Sequence, residues 1–109
     1  MKFLCISDTH GSHNLLDLTK YDFEGVIFAG DWTQGQDFLF RETIPFLEWL
    51  EDIDCEHKIF IAGNHEVSVQ NMNKEFYELL KEYPSITYLQ DEEVVIDGVK
   101  FYGSPYSNE

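Results

Sequence analysis

Lys58-Ile59-Phe60-Ile61-Ala62-Gly63-Asn64-His65-Glu66 is the stretch that decides the fold. The apolar run Ile59 to Ala62, bounded by Lys and Gly, reads as a short strand buried on both faces, the kind found in parallel sheets. It ends in a glycine followed by an amide, an imidazole and a carboxylate. The same pattern occurs twice upstream. Phe3-Leu4-Cys5-Ile6 runs into Asp8-Thr9-His10, and Val26-Ile27-Phe28-Ala29 runs into Gly30-Asp31. In open α/β sheets, ligands gather beyond the carboxyl ends of the strands. Three parallel strands therefore deliver Asp8, His10, Asp31, Asn64 and His65 to one crest. Carboxylate, imidazole and amide oxygen together suit Mn²⁺, Fe or Zn²⁺, and a shared carboxylate allows two metals a few Å apart.

Helical periods fill the gaps between these runs. Ser12 can cap a short helix carrying Leu15, Leu16 and Thr19, which fades by Lys20. Phe46, Trp49, Leu50 and Ile53 form one apolar face, with Pro45 placing the helix start nearby or kinking it. Phe76, Leu79, Leu80 and Tyr83 repeat at i, i+3, i+4 and i+7, with Pro84 just past the end. From there the chain reads as strands: Ile86 to Leu89, then Val94 to Ile96 paired with Val99 to Tyr102 across Asp97-Gly98. That dipeptide is a two-residue hairpin signal, because both turn positions favour positive φ. The order predicts an α/β layer with a mixed sheet extended at its edge.

At 109 residues, one domain is the ceiling. The formal net charge is −14, from 21 acidic against 7 basic residues. Such a balance argues against nucleic acid as partner, since binding long polyanions draws on Lys and Arg to displace counterions. A small anionic substrate held by cations is compatible with it. Cys5 and Cys55 lack a Cys-x-x-Cys spacing and read as reduced thiols. No apolar run approaches the ~20 residues a membrane helix needs. The expected location is the cytoplasm.

The ordered motifs Asp-x-His, Gly-Asp and Gly-Asn-His-Glu, each after a hydrophobic strand, resemble the calcineurin-like metallophosphoesterase superfamily. Ser7-Asp8-Thr9-His10-Gly11, Ala29-Gly30-Asp31-Trp32-Thr33, Phe46-Leu47-Glu48-Trp49-Leu50, Tyr88-Leu89-Gln90-Asp91 and Tyr102-Gly103-Ser104-Pro105 are similar to its small cyclic-nucleotide phosphodiesterase-like branch. The resemblance covers almost all of residues 1–109. The family's later Gly-His and Gly-His-x-His motifs are absent, so the expectation is the N-terminal half of the family's αββα sandwich, with helices on one side of the sheet and a C-terminal hairpin. By matching position, the resemblance implies that Asp8 and His10 bind one metal, Asp31 bridges two, and Asn64 binds the second. It implies His65 as the catalytic acid and phosphate contact. Glu66 is expected to orient a neighbour rather than ligate. Glycines 11, 30 and 63 would let the backbone turn where a Cβ could obstruct the site.

The implied activity is hydrolysis of a small phosphodiester, such as a cyclic nucleotide, by metal-activated hydroxide. The complete family site holds two divalent ions (Mn, Fe or Zn); for this chain the expectation is one, since three ligands with open positions can still bind a catalytic metal while a two-ligand site would be weak. Two classes of function stay open: a phosphoesterase, and a weak or inactive half-domain that binds partners. The second carries an expectation of self-association, or of pairing with the family's C-terminal half, through an uncovered sheet face. Trp32 and Phe38 can either line a pocket mouth and stack on a nucleobase, or pack. Packing is the commoner fate of such aromatics.

Overall fold

The computed structural model describes residues 2–7, 9–10, 17–33, 40–63 and 66–104. Strands β1 (Phe3–Ile6), β2 (Gly25–Phe28), β3 (His57–Phe60) and β4 (Thr87–Tyr88) form one parallel sheet in chain order. The register aligns Ile6 with Phe28, Phe28 with Phe60, and Phe60 with Tyr88. All four strands thus end level, and the segments that follow them emerge at one edge. The ladder continues past the strand ends, with Ala29 N donating to Ile6 O at 2.8 Å and Ile61 N to Phe28 O at 3.1 Å.

Alternation along the strands sends Leu4, Ile6, Val26, Phe28, Lys58, Phe60 and Tyr88 to one face. There they meet α1 (Thr43–Asp52), α2 (Val67–Asn71) and α3 (Asn73–Leu80). Phe46, Leu47 and Leu50 of α1 and Phe76 of α3 are fully buried in this layer. Lys58 lays its stem in the layer and donates from Nζ to the carbonyl of Glu51, near the carboxyl end of α1, where a cation is favoured. Trp32 is fully buried, stacked on Phe46 at 4.4 Å, with Nε1 donating to Thr43 Oγ1 at 3.0 Å. It belongs to the core, and a base-stacking role for it is excluded by that burial. Phe38 lies outside the described residues.

Several boundaries differ from expectation for physical reasons. Helix α1 begins two residues before Pro45, whose missing N–H is harmless in a first turn that has no intrahelical acceptors. Helix α3 stops at Leu80, and Tyr83 reaches the core from the turn beyond it. The backbone breaks at Met72 (φ −121°, ψ 48°), separating off α2, in which Val69 alone is buried. Ser12, Leu15 and Leu16 lie outside the described residues, and Leu18–Lys20 forms a single 3₁₀ turn.

β5 (Glu92–Ile96) and β6 (Val99–Gly103) make an antiparallel ladder of their own. Asp97 (φ 50°) and Gly98 (φ 78°) both take the left-handed conformation that a tight primed turn requires. The hairpin lies against the sheet face opposite the helices. Phe101 packs on Phe3 with ring centroids 5.1 Å apart, and Gly103 approaches Leu89 and Ile61 so closely that no Cβ would fit. Between hairpin and sheet remains a cavity of about 330 Å³, lined by Ile27, Ile59, Ile61, Leu89 and Phe101 among others. Cys5 on this face is exposed, and both cysteines are free thiols. No helix among the described residues is long and apolar enough to cross a membrane.

Candidate metal centre

The crest is built by the segments leaving β1, β2 and β3. His10 and Asp31 meet there. The backbone N–H of His10 donates to the carbonyl of Asp31 at 3.0 Å, and both residues have positive φ (46° and 62°). Left-handed backbone is uncommon outside glycine, although Asp and His tolerate it better than most residues. Two such residues side by side mark a place where the surrounding structure dictates geometry.

Glu66 does the dictating. Its side chain is fully buried and accepts four hydrogen bonds. Oε1 takes the backbone N–H of Asp31 at 2.5 Å and that of Gly63 at 2.7 Å. Oε2 takes the backbone N–H and the hydroxyl of Thr33, both at 3.1 Å. One carboxylate thereby joins the segment after β2 to the segment after β3. Burial pushes the Glu66 carboxyl above its ordinary range, while the donors from Gly63, Thr33 and Asp31 pull it back and the charge of Asp31 adds to the rise.

The two glycines explain how the segments come so close. Gly30 has φ +97°, and a Cβ there would stand 2.5 Å from the Gly63 nitrogen. A Cβ on Gly63 would overlap the Asp31 carboxylate, standing 2.7 Å from its Cγ. Only glycine leaves that carboxylate its position.

His10 carries the clearest chemical assignment. Its Nδ1 lies 3.1 Å from the carbonyl oxygen of Thr33. A carbonyl only accepts, so Nδ1 bears a proton, and in the neutral ring Nε2 is then the nitrogen with the lone pair. Imidazole nitrogen and carboxylate oxygen are donor types that suit Mn²⁺, Fe or Zn²⁺. His10 and Asp31 thus supply two donors of the type a divalent ion takes, and further donors would have to complete the set. Asp8, Asn64, His65 and Gly11 lie outside the described residues. Among the described residues, no three His, Cys, Asp or Glu side chains cluster closely enough to hold a metal by themselves. Next to His10, the Thr9 hydroxyl is buried without a hydrogen-bond partner among the described residues.

Thr33 is the crest residue that reading the sequence for ligands misses. Its contribution runs through a backbone carbonyl and a hydroxyl aimed at Glu66, and neither announces itself as a ligand type. His57, by contrast, stacks on Phe3 on the other face of the sheet (6.2 Å) and faces Glu56 at 3.6 Å, away from the crest. His13 lies outside the described residues.

The sequence model of a family described as calcineurin-like phosphoesterase matches residues 1–106. Metallophosphoesterase domain-containing protein 1 of Homo sapiens is 34% identical over 125 residues, covering 96% of this chain and 37% of the relative. UPF0046 protein K07C11.7 of Caenorhabditis elegans is 36% identical over 120 residues, covering 97% of this chain and 39% of the relative. The chain spans less than two fifths of the length of these curated relatives.

Proposed function

The chain belongs to the calcineurin-like phosphoesterase family, and from that premise we propose that it serves metal-dependent hydrolysis of a small phosphodiester, with a cyclic nucleotide as the finer candidate. The observation that supports this most is the Glu66 clamp, which sets His10 and Asp31 side by side at the crest. Asp8, His10 and Asp31 would hold one divalent ion, Mn²⁺ being our first choice, and Asp31 with Asn64 a second. Such ions, when bound, supply an acidified water as nucleophile and neutralise charge on the phosphoryl oxygens.

The chain's own residues do the remaining work. Asp31 presents its carboxylate from a backbone fixed on both sides, its N–H by Glu66 and its C=O by His10. Gly63 keeps the space beside that carboxylate clear. We assign His65 the proton that the leaving alkoxide requires, a role imidazole fills near neutral pH. The net charge of −14 favours a small substrate over a long polyanion. Turnover of bis(p-nitrophenyl) phosphate with and without Mn²⁺ tests the reading. Absence of Mn²⁺-dependent hydrolysis would sink it for this chain.

One observation favours a second reading, in which the domain also associates through its sheet. Among the described residues, the face opposite the helices is covered by the hairpin alone, with the cavity beneath it and Cys5 exposed. The hairpin shows Val95, Val99 and Tyr102 to solvent, each 46% or more exposed. Apolar surface so arranged fits contact with a second copy or with further sheet of the same domain. Light scattering over a concentration series distinguishes an associating chain from a stable monomer.

A further inference from the structure

We propose that Glu66 and Thr33 are positioning residues that set the ring tautomer of His10, and so decide that Nε2 is the atom it offers to a metal. This deepens the metal-centre reading and rests on it. The path is short and each step is a hydrogen bond in the molecule. The Glu66 carboxylate holds Thr33 by both its N–H and its hydroxyl, at 3.1 Å each. Holding the Thr33 N–H and hydroxyl anchors the residue whose carbonyl meets the His10 ring. That carbonyl receives Nδ1–H of His10 at 3.1 Å. The same carboxylate fixes Asp31 by its N–H at 2.5 Å, and the Asp31 carbonyl receives the His10 N–H at 3.0 Å. His10 is therefore met at backbone and ring by the carbonyls of two residues that one buried carboxylate holds.

The chemistry gives this grip its meaning. A histidine ligand uses the nitrogen that lacks the proton, and the hydrogen bond made by the other nitrogen selects which one that is. Outer partners of this kind usually orient the ring, raise its basicity and change metal affinity by about 10–100-fold when removed. Here the partner is a main-chain carbonyl, which no substitution at position 33 deletes. Control therefore passes to the groups that hold Thr33 in place. Thr33 is itself fully buried, so its hydroxyl bond to Glu66 is not replaced by solvent when lost.

The test reads the tautomer directly on the metal-free 109-residue chain. Long-range ¹H–¹⁵N correlation of the histidine rings, above the usual imidazole range, distinguishes Nδ1–H from Nε2–H, and a His10→Gln spectrum assigns the signals. Wild type is expected as Nδ1–H. Glu66→Gln is expected to show a mixture, Thr33→Val a smaller admixture, and Thr33→Ser, which keeps the hydroxyl, the wild-type state. Titration with MnCl₂ should show affinity falling about 10–100-fold in Glu66→Gln, less in Thr33→Val, with recovery in Thr33→Ser. Nε2–H in wild type overturns the proposal even if Mn²⁺ binds and His10→Gln abolishes binding, and in that case the metal reading survives. Nδ1–H that shifts in the variants supports the proposal even if Mn²⁺ does not bind, and then it is the metal reading that fails. A variant spectrum identical to wild type overturns it as well. Because the wild-type tautomer alone can refute the idea, an unfolded Glu66→Gln does not rescue it.

Discussion

Removing the Glu66 carboxylate is the perturbation whose cost the structure fixes most closely. Glu66→Ala deprives four donors of their acceptor at once: the backbone N–H groups of Asp31, Thr33 and Gly63 and the Thr33 hydroxyl. A hydrogen bond to a charged group contributes about 1.5–3 kcal/mol, and a buried donor left without a partner costs about 1–3 kcal/mol. The four are not additive, because they share one acceptor and the vacated space admits water that can serve some of them. Two donors left unserved, together with the lost packing of a fully buried side chain, give about 3–5 kcal/mol. A domain of this size has about 5–15 kcal/mol in total, at roughly 0.05–0.15 kcal/mol per residue. The variant should thus be near its folding limit, with Tm lower by more than about 12 °C, taking about 4 °C per kcal/mol. Urea unfolding followed by fluorescence suits the measurement, since Trp32 is fully buried beside Phe46 and changes environment on unfolding. Glu75→Ala, on the exposed side of α3, is the control and should stay within about 0.5 kcal/mol of wild type. If Glu66→Ala also stays within about 0.5 kcal/mol, the clamp does not hold the crest together and the account of the site is wrong.

Four further outcomes follow from the same geometry. Mn²⁺ should raise the Tm of the wild type by mass action, and Asp31→Ala should remove most of that gain; equal Mn²⁺ affinity in the variant, measured by calorimetry, would dismiss Asp31 as a ligand. His65→Ala should lower phosphodiester turnover about 10²-fold or more while leaving Mn²⁺ affinity nearly unchanged, and a joint collapse would make His65 a ligand instead. Thr9→Val replaces a buried hydroxyl that has no partner among the described residues; it should be neutral or stabilising by up to about 1 kcal/mol, and a loss above that in thermal unfolding would reveal a partner. Burial, followed by the negative charge of Glu48, raises the Tyr83 phenol above its ordinary range. Its contribution is therefore intact below the unfolded value of about 10 and is lost as pH rises through the higher folded value. The alkaline decline of unfolding free energy should be shallower in Tyr83→Phe, and parallel slopes would refute the shift.

What could be read in advance divides along the range of the interactions involved. The parallel strands were legible because a strand buried on both faces must be apolar throughout, and Val26 to Phe28 and Ile59 to Phe60 satisfy that locally. The hairpin was legible because Asp97-Gly98 accepts two positive φ angles at low cost. Helix α2 was not, since one buried residue, Val69, makes no period. Tyr83 continued the apolar period of α3 although the helix stops at Leu80, so the periodicity recorded burial while the backbone changed. For Trp32 packing was the favoured reading over a pocket mouth, and stacking on Phe46 and a bond to Thr43 hold it in the core.

The crest shows the same division more sharply. Residue types at strand ends were enough to place His10 and Asp31 in one neighbourhood, because parallel strands in register leave no other arrangement. The clamp depends on pairs 33 and 35 positions apart, Thr33 and Asp31 with Glu66, and three of its four donors belong to the backbone, which every sequence possesses. A side chain's type states what it can donate or accept; only the fold states which main-chain groups will be aimed at it. The positive φ of His10 and Asp31 follows from that aim. Each would relax toward ordinary backbone if Glu66, the Asp31 carbonyl and the Gly30–Gly63 contact did not together hold it. The ligand geometry of this crest is therefore a property of a buried carboxylate and two glycines as much as of the residues that would touch metal.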